Sequence, residues 1–145
     1  MPVVLKQRFD PAWEGFPPHM SKEDFEIFKR GKSLIFKDAI NVYYDAGLGG
    51  VTDLPGEMEE SYKKMWTSVT QKRIDVLVET ADEWKIVEIR PRATSTAVGR
   101  LLQYNDLWKQ DPPDGKPARL ILMTDFPDPD MNSLLKTVGI ELIIA

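Results

Sequence analysis

Three consecutive segments decide the fold: Arg73-Ile-Asp-Val-Leu-Val-Glu79, Thr80-Ala-Asp-Glu83 and Trp84-Lys-Ile-Val-Glu-Ile-Arg90. The outer two are rich in β-branched and aromatic residues and have matched lengths, and the middle one is short and polar. This pattern is typical of two strands joined by a turn. We therefore predict a β-hairpin whose pairing brings Asp75 and Glu88 toward the same end.

The chain before the hairpin predicts an arm, a helix and a strand. Residues 1–20 contain four prolines together with Trp13 and Phe16, which favours an extended arm that lays its aromatic side chains on its own core or on a partner. Ser21 is a predicted N-cap, and the periodic apolar residues after it predict a first helix. A β-branched and aromatic run from Ile40 predicts the first strand.

The rest of the chain alternates between predicted helices and strands. Residues 51–70 carry no decisive pattern and stay unassigned. The later elements are a helix capped at Thr94–Thr96 and stopped at Asp111, a strand at Arg119–Thr124 buried on both faces, a loop at 125–130, a helix at Met131–Val138 and a strand at Ile140–Ile144. We predict one α/β domain over residues 21–145, with a mixed central sheet flanked by helices.

Composition excludes several kinds of protein. The 145 residues include no cysteine, which removes disulfides and thiolate zinc sites and is typical of a reducing compartment, so we expect a cytoplasmic protein. The single histidine, His19, cannot form a histidine-rich metal site and is expected to be structural or exposed. No apolar run approaches a membrane span, so no membrane partner is expected. The net charge of −4 argues against unspecific coating of nucleic acid but allows a local basic site.

The hairpin contains the residues that could bind a metal or take part in a reaction. Because alternate side chains of a strand share a face, Glu88 and Arg90 point one way and Lys85 the other. By the same rule Arg73, Asp75 and Leu77 share a face of the preceding strand. Two converging carboxylates are the ligands that Mg²⁺ takes, together with water, substrate phosphate and here the carbonyl of residue 89.

These residues carry a resemblance to a known family. The segments Arg73–Asp75, Glu88–Pro91 and Ala97–Tyr104 together resemble the PD-(D/E)XK nuclease superfamily. The resemblance implies a restriction-endonuclease-like αβββαβ core and a Mg²⁺ site formed by Asp75 and Glu88. It also implies a Gln-x-x-x-Tyr element on the next helix that contacts DNA or the site. We expect the nucleic-acid contacts to be Arg100, Tyr104 and Arg92.

Two departures from the family pattern lead to two hypotheses. Arg90 stands where the family has its catalytic lysine, and Arg100 stands where it has glutamine. Arginine is effectively never deprotonated and cannot replace a flexible ammonium group. The first hypothesis is therefore a degenerate binding or assembly module, such as a bacteriophage head–tail component, with residues 1–20 as an intersubunit strap. Its partners would be further copies of the chain, phage structural proteins and DNA. The second is a Mg²⁺-dependent DNA endonuclease or exonuclease in which Arg90 stabilises charge.

Several alternatives stay open at this point. In one alternative, Glu88 or Asp75 forms a simple ion pair with Arg90 or Arg73, and no metal binds. Asp45 or Glu26 completes a metal site in another. The acidic loop at 125–130 lacks the ligand spacing of a calcium loop. Core packing is favoured over base stacking for five aromatic residues: Tyr43, Tyr44, Trp66, Trp84 and Trp108.

Overall fold

A computed structural model describes residues 3–51 and 53–145, and it shows a six-stranded sheet with helices on both faces. In chain order the elements are β1 (Arg8–Phe9), α1 (Lys22–Ile35), β2 (Asn41–Leu48), α2 (Glu60–Thr70), β3 (Lys72–Glu79), β4 (Trp84–Arg92), α3 (Ser95–Gln110), β5 (Ala118–Phe126), a 3₁₀ turn (Pro129–Met131), α4 (Asn132–Val138) and β6 (Ile140–Ile144). Within the described residues, no helix combines the length and the apolar character needed to cross a bilayer.

The sheet is mixed, as predicted. Its strands follow the chain order from β1 to β6, and the pairings are antiparallel up to β4 and parallel from β4 to β6. The hairpin of β3 and β4 pairs Leu77 with Ile86 and Val78 with Lys85. Parallel neighbours need a crossover connection, and α3 and α4 supply the two that are required. The predicted hairpin and sheet type are therefore confirmed.

Each face of the sheet has its own apolar cluster. On one face α1 packs Ile27 and Phe28 against the strands, and on the other α3 packs Leu101. Strand β5 contributes to both clusters, with Leu122 on the α3 face and Ile121 on the α1 face. Its prediction as a central strand buried on both faces is confirmed, because helices cover it from either side.

Capping residues fix the helix boundaries as predicted. The Ser21 hydroxyl accepts a hydrogen bond from the Asp24 amide at 3.1 Å, and the Thr94 hydroxyl accepts one from the Ala97 amide at 3.4 Å. Each bond satisfies an amide that has no partner inside its helix. Gly139 ends α4 with φ 76°, a left-handed conformation that glycine adopts without steric cost.

Two boundaries differ from the prediction. Strand β4 continues past Arg90, the last residue of the predicted segment, through Pro91 to Arg92, and β5 extends into the predicted loop as far as Phe126. Arg92 lies opposite Phe126 in the parallel ladder, whereas the pairing of β4 with β3 has already ended at Val87. Proline is tolerated in such a half-paired stretch of strand.

The N-terminal arm lies on its own domain. Strand β1 pairs with β2, and the amide of Val4 donates to the Gly47 carbonyl at 2.9 Å. Phe9 is buried, and its ring centroid lies 4.5 Å from that of Trp13 and 5.1 Å from that of Tyr44. Met1 and Pro2 lie outside the described residues. Of the two predicted arm aromatics, Trp13 thus packs on the chain's own core, whereas Phe16 is half exposed and stacks on Phe25 of α1 at 4.5 Å. Deletion of the arm is therefore expected to destabilise the domain.

A substitution in β1 tests this packing. Phe9→Leu is expected to lower the free energy of unfolding by about 1–2 kcal/mol, because it removes two aromatic contacts while keeping most of the apolar volume. Phe126→Leu serves as the control outside the arm, since Phe126 is 62% exposed and should change stability by less than about 0.5 kcal/mol. Urea unfolding measures both, and equal effects would contradict the packing role of the arm.

Candidate functional site

Strands β3 and β4 separate at one end, and this opening holds the two predicted carboxylates. Their pairing ends at Val76 and Val87, and the next residues outward are Asp75 and Glu88. The Asp75 carboxylate accepts a hydrogen bond from the Ile89 amide at 2.8 Å, so a side chain takes the place of the strand ladder. The Glu88 carboxylate is close enough to raise the pKa of Asp75. The structure therefore brings the two acids together in one pocket.

The strand geometry around Asp75 is irregular. Ile74 and Leu77 are three residues apart, yet they pack into the same apolar cluster. The neighbouring strand has its own irregularity at the same level, where Asp45 adopts a left-handed φ of 55°. The prediction that Arg73, Asp75 and Leu77 share one face is therefore wrong, because alternation is interrupted at this point.

Glu88 is the buried centre of the site. Its side chain is 1% exposed, and one carboxylate oxygen, Oε2, lies 2.8 Å from Arg90 Nε and 2.6 Å from Arg90 Nη2. The other oxygen, Oε1, accepts a hydrogen bond from the Tyr104 hydroxyl at 3.2 Å. A buried carboxylate requires a counter-charge or several donors, and Glu88 has both. Arg90 and Glu88 thus form the ion pair that one of the open alternatives predicted.

Asp75 carries a proton more readily than an ordinary aspartate. Burial and the adjacent Glu88 carboxylate raise the pKa of Asp75 to about 8, although the hydrogen bond from the Ile89 amide acts in the opposite direction. Two close carboxyl groups cannot both be ionised without cost, and here the raised pKa keeps a proton on Asp75 up to about pH 8. Near neutral pH the pair carries about one negative charge, which Arg90 balances.

A third acid near the pair was missed by sequence reasoning. Asp24 lies in the first turn of α1, close enough to interact electrostatically with Asp75 and Arg90, and burial raises the pKa of Asp24. The alternative that Glu26 completes the site is wrong, because Glu26 is exposed and pairs with Lys29 at 2.9 Å. Only the packing of α1 on the sheet distinguishes these two acids, and no local signal in the sequence does.

Asp45 also lies outside the carboxylate pair. Its Oδ2 atom is 2.7 Å from Lys6 Nζ and 3.4 Å from Arg73 Nη1, so it belongs to a separate ion-pair cluster. Arg73 continues this cluster through Nη2, which donates to the Ser68 carbonyl at 3.0 Å. The Arg73 carbonyl also accepts from the Tyr104 hydroxyl, at 2.8 Å, so the single hydrogen of that hydroxyl is shared between this carbonyl and Glu88. Arg73 therefore connects β2, α2 and α3 beside the carboxylate pocket.

A basic cavity adjoins the site. It has a volume of about 350 Å³ and is lined by Gln71, Lys72, Arg73, Arg100, Gln103 and Tyr104. Two of the predicted nucleic-acid residues, Arg100 and Tyr104, thus lie together, although Tyr104 is buried and directs its hydroxyl to Glu88. Arg92 is not part of this lining, and its guanidinium lies over the exposed Phe126 ring at 5.7 Å.

Lys85 is separated from the site by the sheet. Its buried ammonium donates to the carbonyls of Ile35 and Lys37, at 3.2 Å and 3.1 Å, and so caps the end of α1. Burial lowers the pKa of Lys85. The structure thus places this lysine on the opposite side of the sheet from Glu88, and it cannot substitute for the missing catalytic lysine.

The donor set has the right chemistry for a hard cation, but Arg90 competes for it. Asp75 and Glu88 supply carboxylate oxygens of the kind that Mg²⁺ binds. Among the described residues, no group of three or more acidic or histidine side chains is arranged to hold a metal ion. Both oxygens of Glu88 already have protein partners. A cation at this position would have to displace the Arg90 guanidinium from Oε2.

Comparisons with known proteins give a fold and no family. No family model and no curated protein matches the chain. Among solved structures, it is similar to a repair endonuclease from Pyrococcus abyssi, with a TM-score of 0.51 and 17% identity over 92% of this chain and 49% of that one. A protein of unknown function has a TM-score of 0.47 and 13% identity, over 83% of this chain and 57% of that one. The chain spans about half the length of the endonuclease. The predicted mixed α/β fold of nuclease-like architecture is therefore confirmed.

Proposed function

We propose that this chain is a catalytically degenerate relative of the PD-(D/E)XK nucleases, which binds DNA without cleaving it. The observation that carries the proposal is the contact of Arg90 with Glu88, in which two guanidinium nitrogens meet one carboxylate oxygen. A guanidinium remains charged at every physiological pH, so it neutralises Glu88 permanently. A lysine in the same place would release the carboxylate and handle an attacking water more easily.

The charge balance of the pocket supports the same conclusion. With a proton on Asp75, the set formed by Asp75, Glu88 and Arg90 carries no net charge near neutral pH. A divalent cation is attracted to such a pocket far less than to two free carboxylates. Metal-activated hydrolysis needs that cation to polarise the phosphodiester and to acidify a bound water. The residues of this chain therefore favour binding over cleavage.

The basic cavity next to the pocket supports DNA binding. Lys72 and Arg100 are exposed there, whereas Arg73 is engaged by Asp45 and Ser68. Lysine and arginine side chains at such a position neutralise backbone phosphates. Because the whole chain is acidic, contact with DNA is expected to be confined to this edge.

Salt-dependent binding tests the proposal. The fluorescence anisotropy of labelled DNA should show binding at low ionic strength, and the Lys72→Ala/Arg100→Ala double variant should weaken it. Each phosphate contact that is lost is expected to reduce the slope of log affinity against log salt by about 1. Lys109→Ala is the matched control, since this exposed lysine lies on α3 outside the cavity. Absence of binding in the wild type, or identical slopes in all variants, would refute the proposal.

A Mg²⁺-dependent DNA endonuclease or exonuclease is the second candidate. It is favoured by the proximity of Asp75 and Glu88, because a cation can take the place of the proton that Asp75 holds. This candidate predicts that Mg²⁺ or Mn²⁺ raises the melting temperature at pH 8 and that Glu88→Ala abolishes the shift. The degenerate site predicts no shift in either protein.

Assembly into a larger particle stays a prediction from the family resemblance. Further copies of this chain and bacteriophage structural proteins are the partners that the resemblance implies. The arm was expected to act as an intersubunit strap, but its aromatic residues Phe9 and Trp13 pack on the chain's own core. Light scattering of the purified protein tests this role through its oligomeric state.

A further inference from the structure

Helix α2 presents an apolar surface to solvent. Tyr62, Met65, Trp66 and Val69 follow the spacing i, i+3, i+4 and i+7, so they lie on one side of the helix. Their exposed fractions are 55%, 47%, 47% and 67%. None of the eleven residues of α2, all within the described part of the chain, is buried. We call these four residues the α2 stripe.

Trp66 departs from the behaviour of the other aromatic residues. Core packing was predicted for five aromatic side chains, and it is confirmed for Tyr43, Tyr44, Trp84 and Trp108. For Trp66 that prediction is wrong, because α2 is attached to the domain through polar contacts near its C-terminal end. The Thr67 hydroxyl donates to the Val51 carbonyl at 2.7 Å, and Arg73 donates to Ser68. Of these five aromatic side chains, only Trp66 is thus exposed enough for a base to stack on it.

The size of the stripe argues against a second protein chain as its occupant. Four partly exposed side chains can bury on the order of 400 Å² per partner, about half of what a stable protein interface needs. The area suits instead a narrow ligand that lies along one helix. Aromatic side chains such as Tyr62 and Trp66 offer a flat surface to any nucleobase.

Lysine and arginine side chains lie on α2 and just beyond its C-terminal end. Lys63 and Lys64 belong to α2, and Lys72 and Arg100 line the basic cavity just beyond its end. Glu60 pairs with Lys63 at 3.3 Å, and the exposed Glu57 and Glu59 also lie at the N-terminal end of α2, so the excess positive charge is at the other end, with Lys64, Lys72 and Arg100. The remaining cations complement a phosphate backbone.

Arg73 connects the C-terminal end of α2 to the site. Its guanidinium binds Ser68 of α2, and its carbonyl accepts the Tyr104 hydroxyl that also reaches Glu88. Gln71, which follows α2 directly, lines the basic cavity, so the cavity begins where the helix ends.

We propose that the α2 stripe binds the bases of an unpaired DNA strand while Lys64, Lys72 and Arg100 hold its phosphates. This inference rests on the proposed DNA-binding function and names the form of DNA that the site takes. Bases in a duplex are already stacked on one another and offer only their edges, so the stripe can discriminate in favour of unpaired nucleotides. Tyr62 and Trp66 provide the stacking surface, and Met65 and Val69 extend its apolar area.

Binding of two DNA forms to matched variants tests the inference. Anisotropy is measured with a labelled thymidine 20-mer and with a 20-base-pair duplex. Trp66→Ala is expected to weaken binding of the single strand at least about tenfold and that of the duplex less than twofold. Trp66→Phe should retain most of the affinity because it retains a ring. Leu134→Ala, on exposed α4 surface, is the control and should change neither.

Tryptophan fluorescence gives a second readout. Trp84 and Trp108 are 2% exposed and Trp13 packs against Phe9 and Tyr44 away from α2, so quenching on addition of the 20-mer should come mainly from Trp66. We expect quenching in the wild type and its loss in Trp66→Phe, although that variant still binds. The Trp66 variants should unfold at the same urea concentration as the wild type, since the replaced side chain lies outside the core.

The outcomes separate this inference from the proposed function. If the Lys72→Ala/Arg100→Ala variant loses DNA but Trp66→Ala binds the single strand like the wild type, the stacking role is refuted and the proposed function stands. If no DNA form binds the wild type, both fail. If light scattering shows a dimer that Trp66→Ala dissociates, the stripe is a protein interface and the inference is overturned.

Discussion

Arg90→Met is expected to lower the free energy of unfolding by about 3–5 kcal/mol at pH 7, because it leaves the Glu88 carboxylate buried without its cation. Glu88 is 1% exposed, and Tyr104 would remain as its hydrogen-bond donor. One neutral donor does not replace a guanidinium that contacts the same oxygen through two nitrogens. Urea unfolding of the two proteins measures the difference.

Two further variants show whether the loss comes from the unpaired charge. The Glu88→Gln/Arg90→Met double variant should recover most of the lost stability, since it removes the charge together with its partner. Arg92→Met is the positional control, because Arg92 is exposed and lies two residues further along β4. A loss in Arg92→Met equal to that in Arg90→Met would contradict the role assigned to the ion pair.

Asp75→Asn is expected to raise the free energy of unfolding at pH 8, by up to about 5 kcal/mol. Asparagine resembles the protonated aspartic acid, so it can accept the Ile89 amide and donate to Glu88 without titrating. The wild-type carboxyl group has a pKa of about 8 in the folded protein and an ordinary value of 3.8. The folded state therefore holds a proton that the unfolded chain releases between these values.

The sign of the pH dependence follows from this proton. Stability falls as pH rises wherever the folded state binds more protons, so Asp75 should make the wild type progressively less stable from about pH 4 to pH 8. Unfolding in urea at pH 5, 7 and 9 should show a shallower decline for Asp75→Asn than for the wild type. Asp45→Asn is the control, since that acid is ion-paired with Lys6 and Arg73 away from the pocket. Parallel profiles for wild type and Asp75→Asn would show that Asp75 is not protonated in the folded protein.

Features that depend on local sequence could be predicted. The hairpin follows from two apolar segments of matched length, and Ser21 and Thr94 mark helix starts because their hydroxyls satisfy free amides. The meeting of Asp75 and Glu88 also follows from hairpin pairing, which is a near-neighbour relation in the chain.

Features that depend on packing between distant segments could not be predicted from the sequence. Asp24 reaches the pocket only because α1 crosses the sheet at that point, and Glu26 has an equivalent sequence context. The loss of alternation at Asp75 accompanies a left-handed residue, Asp45, on the neighbouring strand. The exposure of Trp66 is likewise invisible in the sequence, since the spacing of the α2 stripe is also that of a core helix.

Plasmid cleavage is the most direct test of the central claim, that Arg90 holds the carboxylate pocket in an inactive ion pair. Supercoiled plasmid is incubated with the wild-type protein in Mg²⁺ and, separately, in Mn²⁺, and Glu88→Ala is treated in parallel. We predict that the wild type retards the plasmid on a gel yet leaves it supercoiled after the protein is removed. Nicked or linear DNA that forms with the wild type and not with Glu88→Ala would contradict the claim and establish an active nuclease.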